Sequence, residues 1–217
     1  MADYWPGTVA GLLAQAQFEL NRTDFTVNEV SSVLNGVIAQ ANQEPFWFNQ
    51  VALTPSTVAS QEYYTSSDLA AIAELHSIES VVITVSSSRY PLRKRTQIEL
   101  DELAVTASHT GRPTDYSYYN KQLRLFPVPD AVYTLTIRAT EDYTALDEAT
   151  DTNDWLSNKL PYMFCLHKTC SHAYKFWIHQ PEKVMIRENE AEMVLEKMRM
   201  ETTRREAGTR IRASACL

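Results

Sequence analysis

Glycine is scarce in this chain, with five in 217 residues against a usual ~7%. None stands in a G-x-G-x-x-G or G-x-x-x-x-G-K pattern, which excludes the two common phosphate-cradling loops. Apolar runs last only a few residues, too short to cross a bilayer, so no membrane partner is expected. The opening Met1-Ala2-Asp3-Tyr4-Trp5-Pro6 has neither a basic n-region nor an apolar h-region, so no secretion signal is expected either. The three cysteines, Cys165, Cys170 and Cys216, are too few and too clustered for a disulfide framework and should be reduced. Positive charge is short as well. With a net charge of -7, the overall field does not draw nucleic acid.

What is present is a globular composition, 44% hydrophobic and 22% charged. That argues against wholesale disorder and supplies a core for one large or two small domains. The charge is uneven. Residues 199–217 hold Arg199, Arg204, Arg205, Arg210 and Arg212 against Glu201 and Glu206, so this end is about +3 and the remainder about -10. A basic end on an acidic body suggests a docking strap. Ile211, Cys216 and Leu217 would let it use an apolar groove as well as acids, ordering on binding rather than fraying.

Helical spacing of Val9, Leu12, Leu13, Ala16 and Leu20 predicts a helix over 8–20. Thr26-Val27-Asn28-Glu29 is a capping box opening a second helix, with Phe25 and Val30 as its hydrophobic staple. After Pro45-Phe46-Trp47-Phe48-Asn49 the pattern changes to short alternating segments. Val81, Ile83 and Val85 predict a strand, Ser86-Ser87-Ser88 a turn, and residues 90–93 the return strand. Thr96 and Glu99 form a second capping box, opening a short helix to about Ala107. Leu123 and Leu125, then Tyr133, Leu135 and Ile137, predict strands, with Pro127-Val128-Pro129-Asp130 as the turn between them. Residues 144–154 are acidic and polar, as expected of a return linker. Pro161 suits the first turn of a third helix to about His179, whose apolar band includes Phe164 and Phe176. A fourth helix starts at Pro181, acidic first and basic last as its dipole favours, and the pattern ends at Gly208.

The expected fold is therefore α+β. Residues 1–49 and 154–207 would form an antiparallel four-helix bundle, residues 50–153 a β-rich insertion, and residues 208–217 an extended C-terminal docking tail.

Candidate chemistry is thin. Cys165, His167, Cys170 and His172 suggest zinc, but on a helix only His167 and Cys170 share a face, and Cys165 to His172 spans about 10 Å of rise. Asp147, Glu148, Asp151 and Asp154 lack the rhythm of a calcium loop. Glu99, Asp101 and Glu102 have no second catalytic type fixed beside them. There is no G-x-S-x-G and no H-E-x-x-H. Asn21-Arg22-Thr23 is a sequon without a secretory context. No metal, cofactor or catalytic residue is expected. A second basic cluster, Arg89, Arg93, Lys94 and Arg95, flanks the predicted hairpin, either as a charged strand edge or as a contact with a neighbour.

The ordered motifs carry a resemblance. Trp47-Phe48-Asn49 follows a helix pair. Pro113-Thr114-Asp115-Tyr116, Leu123-Arg124-Leu125-Phe126-Pro127-Val128-Pro129 and Tyr133-Thr134-Leu135-Thr136-Ile137 follow in turn, and Asn153-Asp154-Trp155-Leu156 leads into the closing helices. This order resembles the head-to-tail adaptor proteins of short-tailed bacteriophages, the tail tubular protein A type. It departs at Pro45-Phe46, where a small residue would precede the tryptophan.

The resemblance implies a non-enzymatic virion component at the neck or tail, assembled in the host cytoplasm. It implies a ring, usually of twelve copies, beneath the portal protein, with the β-rich section meeting tail nozzle or tail fibre proteins. Genomic DNA would pass through the channel without specific binding. Arg199, Arg204, Arg205, Arg210, Ile211, Arg212 and Leu217 are then the expected portal contacts, with Trp47, Phe48 and Trp155 as structural anchors. Rival readings are another neck component, such as a stopper or tail-completion protein, a hydrolase or nuclease with a dispersed site, and a DNA-binding regulator.

Overall fold

The computed structural model describes residues 7–106 and 109–214, and the side chains of all of these except 106 and 208–214. In chain order the elements are α1 (Val9–Leu20), α2 (Val27–Ala41), β1 (Gln50–Leu53) and β2 (Tyr63–Tyr64). A 3-10 turn (Ala70–Glu74) leads to β3 (Leu75–Val85), β4 (Ser88–Pro91), β5 (Arg93–Lys94) and α3 (Gln97–Thr106). Then come β6 (Thr110–Gly111), β7 (Asp115–Tyr119), β8 (Gln122–Phe126), β9 (Val128–Pro129) and β10 (Thr134–Glu141). The chain closes with α4 (Asp154–Ser157), α5 (Lys159–Ala173), a π-helical turn (Tyr174–Ile178) and α6 (Pro181–Ser214). The fold is α+β, divided into two compact units: Met1–Asn49 with Tyr143–Leu217, and Gln50–Asp142.

In the helical unit, local rules fix the helix starts. Thr26 accepts from the Glu29 amide while the Glu29 carboxylate accepts from the Thr26 amide, closing the expected box. Phe25 and Val30 are both buried in the same core. Helix α5 is the hub, packing on α1, α2, α4 and α6. It starts at Lys159 with Pro161 in its first turn and ends in the π turn, which His179 terminates in the left-handed region at φ 57°. The widened turn directs Phe176 outward instead of into the apolar band, leaving it 53% exposed. Among the described residues five α-helices, not four, build this unit, so the expectation holds at the level of α+β.

Two further expectations change here. Helix α6 does not stop at Gly208, and its backbone stays helical to Ser214, so this stretch is not an extended tail. Residues 144–153 are not a loose linker. Leu146 is fully buried in the helical core, and its amide and carbonyl are both bonded by the Asn35 side chain. Asp151 accepts from the Asp147 and Glu148 amides, which folds the acidic stretch on itself.

The second unit has one antiparallel sheet ordered β1-β10-β3-β4 and another ordered β2-β8-β7-β5, in which β5 runs parallel to β7. Ile78, Val81, Ile83, Leu135 and Ile137 from the first sheet share a core with Tyr64, Tyr116, Leu123 and Leu125 from the second. The β3-β4 hairpin forms through Ser86 and Ser87 as predicted, pairing Val85 with Ser88. The predicted turn at Pro127–Asp130 does not make a hairpin. Strands β8 and β10 lie in different sheets, and Val128–Pro129 is itself a short strand pairing parallel to β6.

Candidate functional site

The turn after α2 carries the aromatic signature, and its geometry explains the residue types. The Asn49 side chain accepts from the Phe46 amide at 2.7 Å and donates to the Glu44 carbonyl and to Asn42 Oδ1, both at 3.1 Å. The Trp155 indole N–H donates to the same Asn42 oxygen at 3.1 Å. Phe46 and Phe48 stack on each other, and both meet the Trp155 ring edge-on. An amide side chain is needed at both asparagines, because each sits buried with donors and acceptors to satisfy. Phe46 and Trp155 are therefore anchors. Trp47 is different: it is only partly buried, its amide donates to Thr202 Oγ1 at 3.3 Å, and the Arg205 guanidinium lies 4.9 Å over its ring.

The signature thus meets the C-terminal helix. Arg199 forks onto Glu44, with Nε to Oε2 at 2.8 Å and Nη2 to Oε1 at 2.6 Å. Arg204 and Arg205 both close on Glu201, and these two guanidinium partners hold its carboxyl at about 2, below the usual carboxylate range. Three of the five arginines expected as docking charges are thus ordered by acidic partners, although Arg204 and Arg205 remain exposed at the helix surface. Arg210, Ile211 and Arg212 continue the same helical backbone, and Leu217 lies outside the described residues.

The whole of this arrangement falls within one recognisable family. The SU10 adaptor protein family matches residues 7–214. The chain belongs to the SU10 adaptor protein family. It is a structural adaptor of phages and a virion component. The resemblance drawn from the motifs holds at that level, while the tail tubular protein A type is a narrower statement than the match makes. No curated protein matches the chain.

The adaptor has an open groove of about 1050 Å³ where α2 and α6 both lie on α5. Val33, Val37, Phe164 and Leu195 give it apolar walls, and the π turn contributes Trp177. Its rim charges are partnered. Lys168 meets Glu188 at 2.5 Å and Glu192 at 3.6 Å, Arg199 meets Glu44, and Lys175 lies over the Phe176 ring.

The other candidate clusters resolve in the same way. His167 Nδ1 lies 3.2 Å from both Arg187 and Glu190, so the ring is a polar neighbour of that ion pair. Cys165 and Cys170 are buried, and desolvation drives both thiols far up, Cys170 to about 12, away from thiolate chemistry. Among the described residues, no three His, Cys, Asp or Glu side chains are grouped to hold a metal ion. Glu99 caps α3 through Thr96, and Asp101 pairs with Arg124.

The basic hairpin cluster is not one patch. Lys94 donates to the Ile78 carbonyl at 2.9 Å and Arg95 pairs with Asp115 at 2.6 Å, whereas Arg89 and Arg93 face solvent. Arg112, not singled out from the sequence, stacks over Tyr90 at 4.3 Å beside them. Sequence reasoning also missed the buried Arg124, bound to Glu62 at 2.6 Å and Asp101 at 2.5 Å. Its one signal was a charge placed between Leu123 and Leu125 in a strand.

Proposed function

We propose that this adaptor assembles as a ring between the portal protein and the tail nozzle, and that its C-terminal helix is the portal strap. The observation that carries the reading is the family match across residues 7–214. Supporting it, α6 is 34 residues long, about 50 Å of helix, and its C-terminal third concentrates the arginines of an otherwise acidic chain. Arg204, Arg205, Arg210, Ile211, Arg212 and Leu217 are the proposed portal contacts. Arg199 orients the helix by its fork on Glu44. In the β-rich unit, Arg89 and Arg93 are the proposed contacts with tail proteins. The acidic body keeps DNA from adhering as it passes, and repetition around a closed ring, with twelve the proposed copy number by family likeness, turns weak straps into tight attachment.

The test is native mass spectrometry of the chain mixed with the portal ring of the same virus. The full chain should form a stoichiometric ring on the portal. A truncation after Ala207 keeps the Thr202 contact with Trp47, and combined with Arg204→Ala and Arg205→Ala it should lose portal binding. Binding that survives would remove the strap assignment. Failure of the full chain to bind, together with capture by tail proteins, would make it a different neck component.

A further inference from the structure

Among the described residues helix α6 has two apolar faces, of which those residues cover one. Ala191, Val194, Leu195 and Met198 are buried in the helical core. On the opposite side Ile186, Met193 and Met200 stand 57%, 59% and 59% exposed. They are spaced by seven residues, close to two whole turns, so they form one line along the helix. Exposed Ala207 continues that line. Of the charges bordering it, Glu190 pairs with Arg187, Glu196 with Arg199 and Arg204 with Glu201, while Lys197 lies exposed between Met193 and Met200. The line fills one of the two apolar positions of a helix seam, the intervening 189/190, 196/197 and 203/204 being polar, so it offers a single row of knobs to another α-helix.

The helical unit also shows what that helix would be. Outside α6, its exposed large apolar side chains among the described residues are Phe18 and Phe176. Phe176 is engaged by the His172 ring at 4.5 Å and by Lys175. Phe18 is 85% exposed, on a solvent face of α1 completed by Ala10 and Ala14 at helical spacing. The single charge of α1 is Glu19, and Arg187 of α6 holds it at 2.6 Å. A solvent-facing helix surface with no charge of its own is atypical. It suits a neutralised stripe, with alanines giving close approach and Phe18 as the knob.

We infer that the Ile186–Met193–Met200 stripe seats α1 of a second copy of this chain, Phe18 packing between Met193 and its neighbours on the stripe. The inference rests on the ring proposed above: a closed ring needs two different surfaces on each copy, and here both lie on the helical unit. Methionine suits such a joint, since its flexible thioether adapts to small differences in packing.

Disulfide trapping tests this directly. In a Cys216→Ala background, one chain carries Phe18→Cys and another Met193→Cys, both at exposed positions that folding tolerates. Equimolar mixtures are oxidised at high concentration, alone and with the portal ring. The mixture should give roughly tenfold more cross-linked dimer than either chain alone or than a control pairing Phe18→Cys with Val132→Cys, because ring neighbours hold the pair at an effective concentration near millimolar. A chain with both cysteines should form ladders ending at the ring size. Dimers from Met193→Cys alone, at the same yield, would overturn the pairing in favour of α6 meeting itself. Yields no higher than the control, with and without portal, would overturn it altogether. Cross-linking that persists when portal binding fails would leave this joint standing and sink only the strap.

Discussion

The indole N–H of Trp155 and the side-chain oxygen of Asn42 meet at 3.1 Å across 113 residues of sequence. That bond joins the turn after α2 to the entry of the closing helices, and Asn49 shares the same acceptor. Asn42 is 3% exposed, so water cannot replace it. Asn42→Leu would keep the volume and leave two donors without an acceptor, at about 1–3 kcal/mol each. The expected loss is about 2–4 kcal/mol, read as a lower midpoint in urea followed by tryptophan fluorescence with the slope unchanged. A loss under about 0.5 kcal/mol would show that the signature's asparagine is not the joint described here.

Cys165 and Cys170 should report the opening of the helical unit. At pH 8, a thiol raised to about 12 has roughly 10³-fold less thiolate than one at its ordinary value. Both should resist maleimide in the native chain and label at the rate of global unfolding, quantified by mass spectrometry over time. Rapid labelling of either without unfolding would mean that α5 is not the sealed hub of its unit.

The elements that could be anticipated were those decided by neighbours in sequence. The Thr26–Glu29 and Thr96–Glu99 boxes close within four residues, and the β3-β4 hairpin needs only its own turn. What failed depended on distant partners. The alternation at β8 and β10 is the same whether they pair with each other or with β7 and β3, so the turn expected at Pro127–Asp130 did not show that the chain changes sheets there. One glycine costs a helix only about 1 kcal/mol, and Ala207, Arg210, Arg212 and Ala213 are good formers, so Gly208 was no stop. At the candidate site, counting charge found the arginines but not their partners. Glu201 lies three and four residues before Arg204 and Arg205, at pairing distance on a helix, whereas Glu44 lies 155 residues from Arg199 and only the fold brings them together.

Acid should loosen the helical unit before its carboxylates protonate. Burial lowers His167 below 6.5, Arg187 pushing the same way while Glu190 and Glu19 oppose it. Burial and then Lys175 lower His172, whose Nδ1 is buried without a hydrogen-bond partner. Both imidazoles take up protons more readily in the unfolded chain. Their stabilising contribution is complete above pH 6.5 and diminishes as the pH falls below it, through the folded values. The urea midpoint should therefore drop between pH 6.5 and 5, and His167→Gln should flatten the drop. An unchanged midpoint over that window would contradict the burial of both rings.

Arg124 offers the sharpest test of the β-rich unit. It is 4% exposed, holds Glu62 at 2.6 Å and Asp101 at 2.5 Å, and lies 5.2 Å over the Tyr63 ring. Removing one partner of a buried ion pair can cost 3–5 kcal/mol when the other charge stays dry. Here the Glu62 and Asp101 side chains are 28% and 62% exposed, so both can rehydrate, and Arg124→Met should cost about 1–3 kcal/mol. Arg124→Lys should recover little, because a single ammonium cannot serve two carboxylates from the fork's position. Glu62→Gln should cost more than Asp101→Asn, following their burial. Hydrogen exchange of the β8 amides isolates this unit from the helical one, and full recovery by lysine would show that charge alone, not the planar fork, holds the strand.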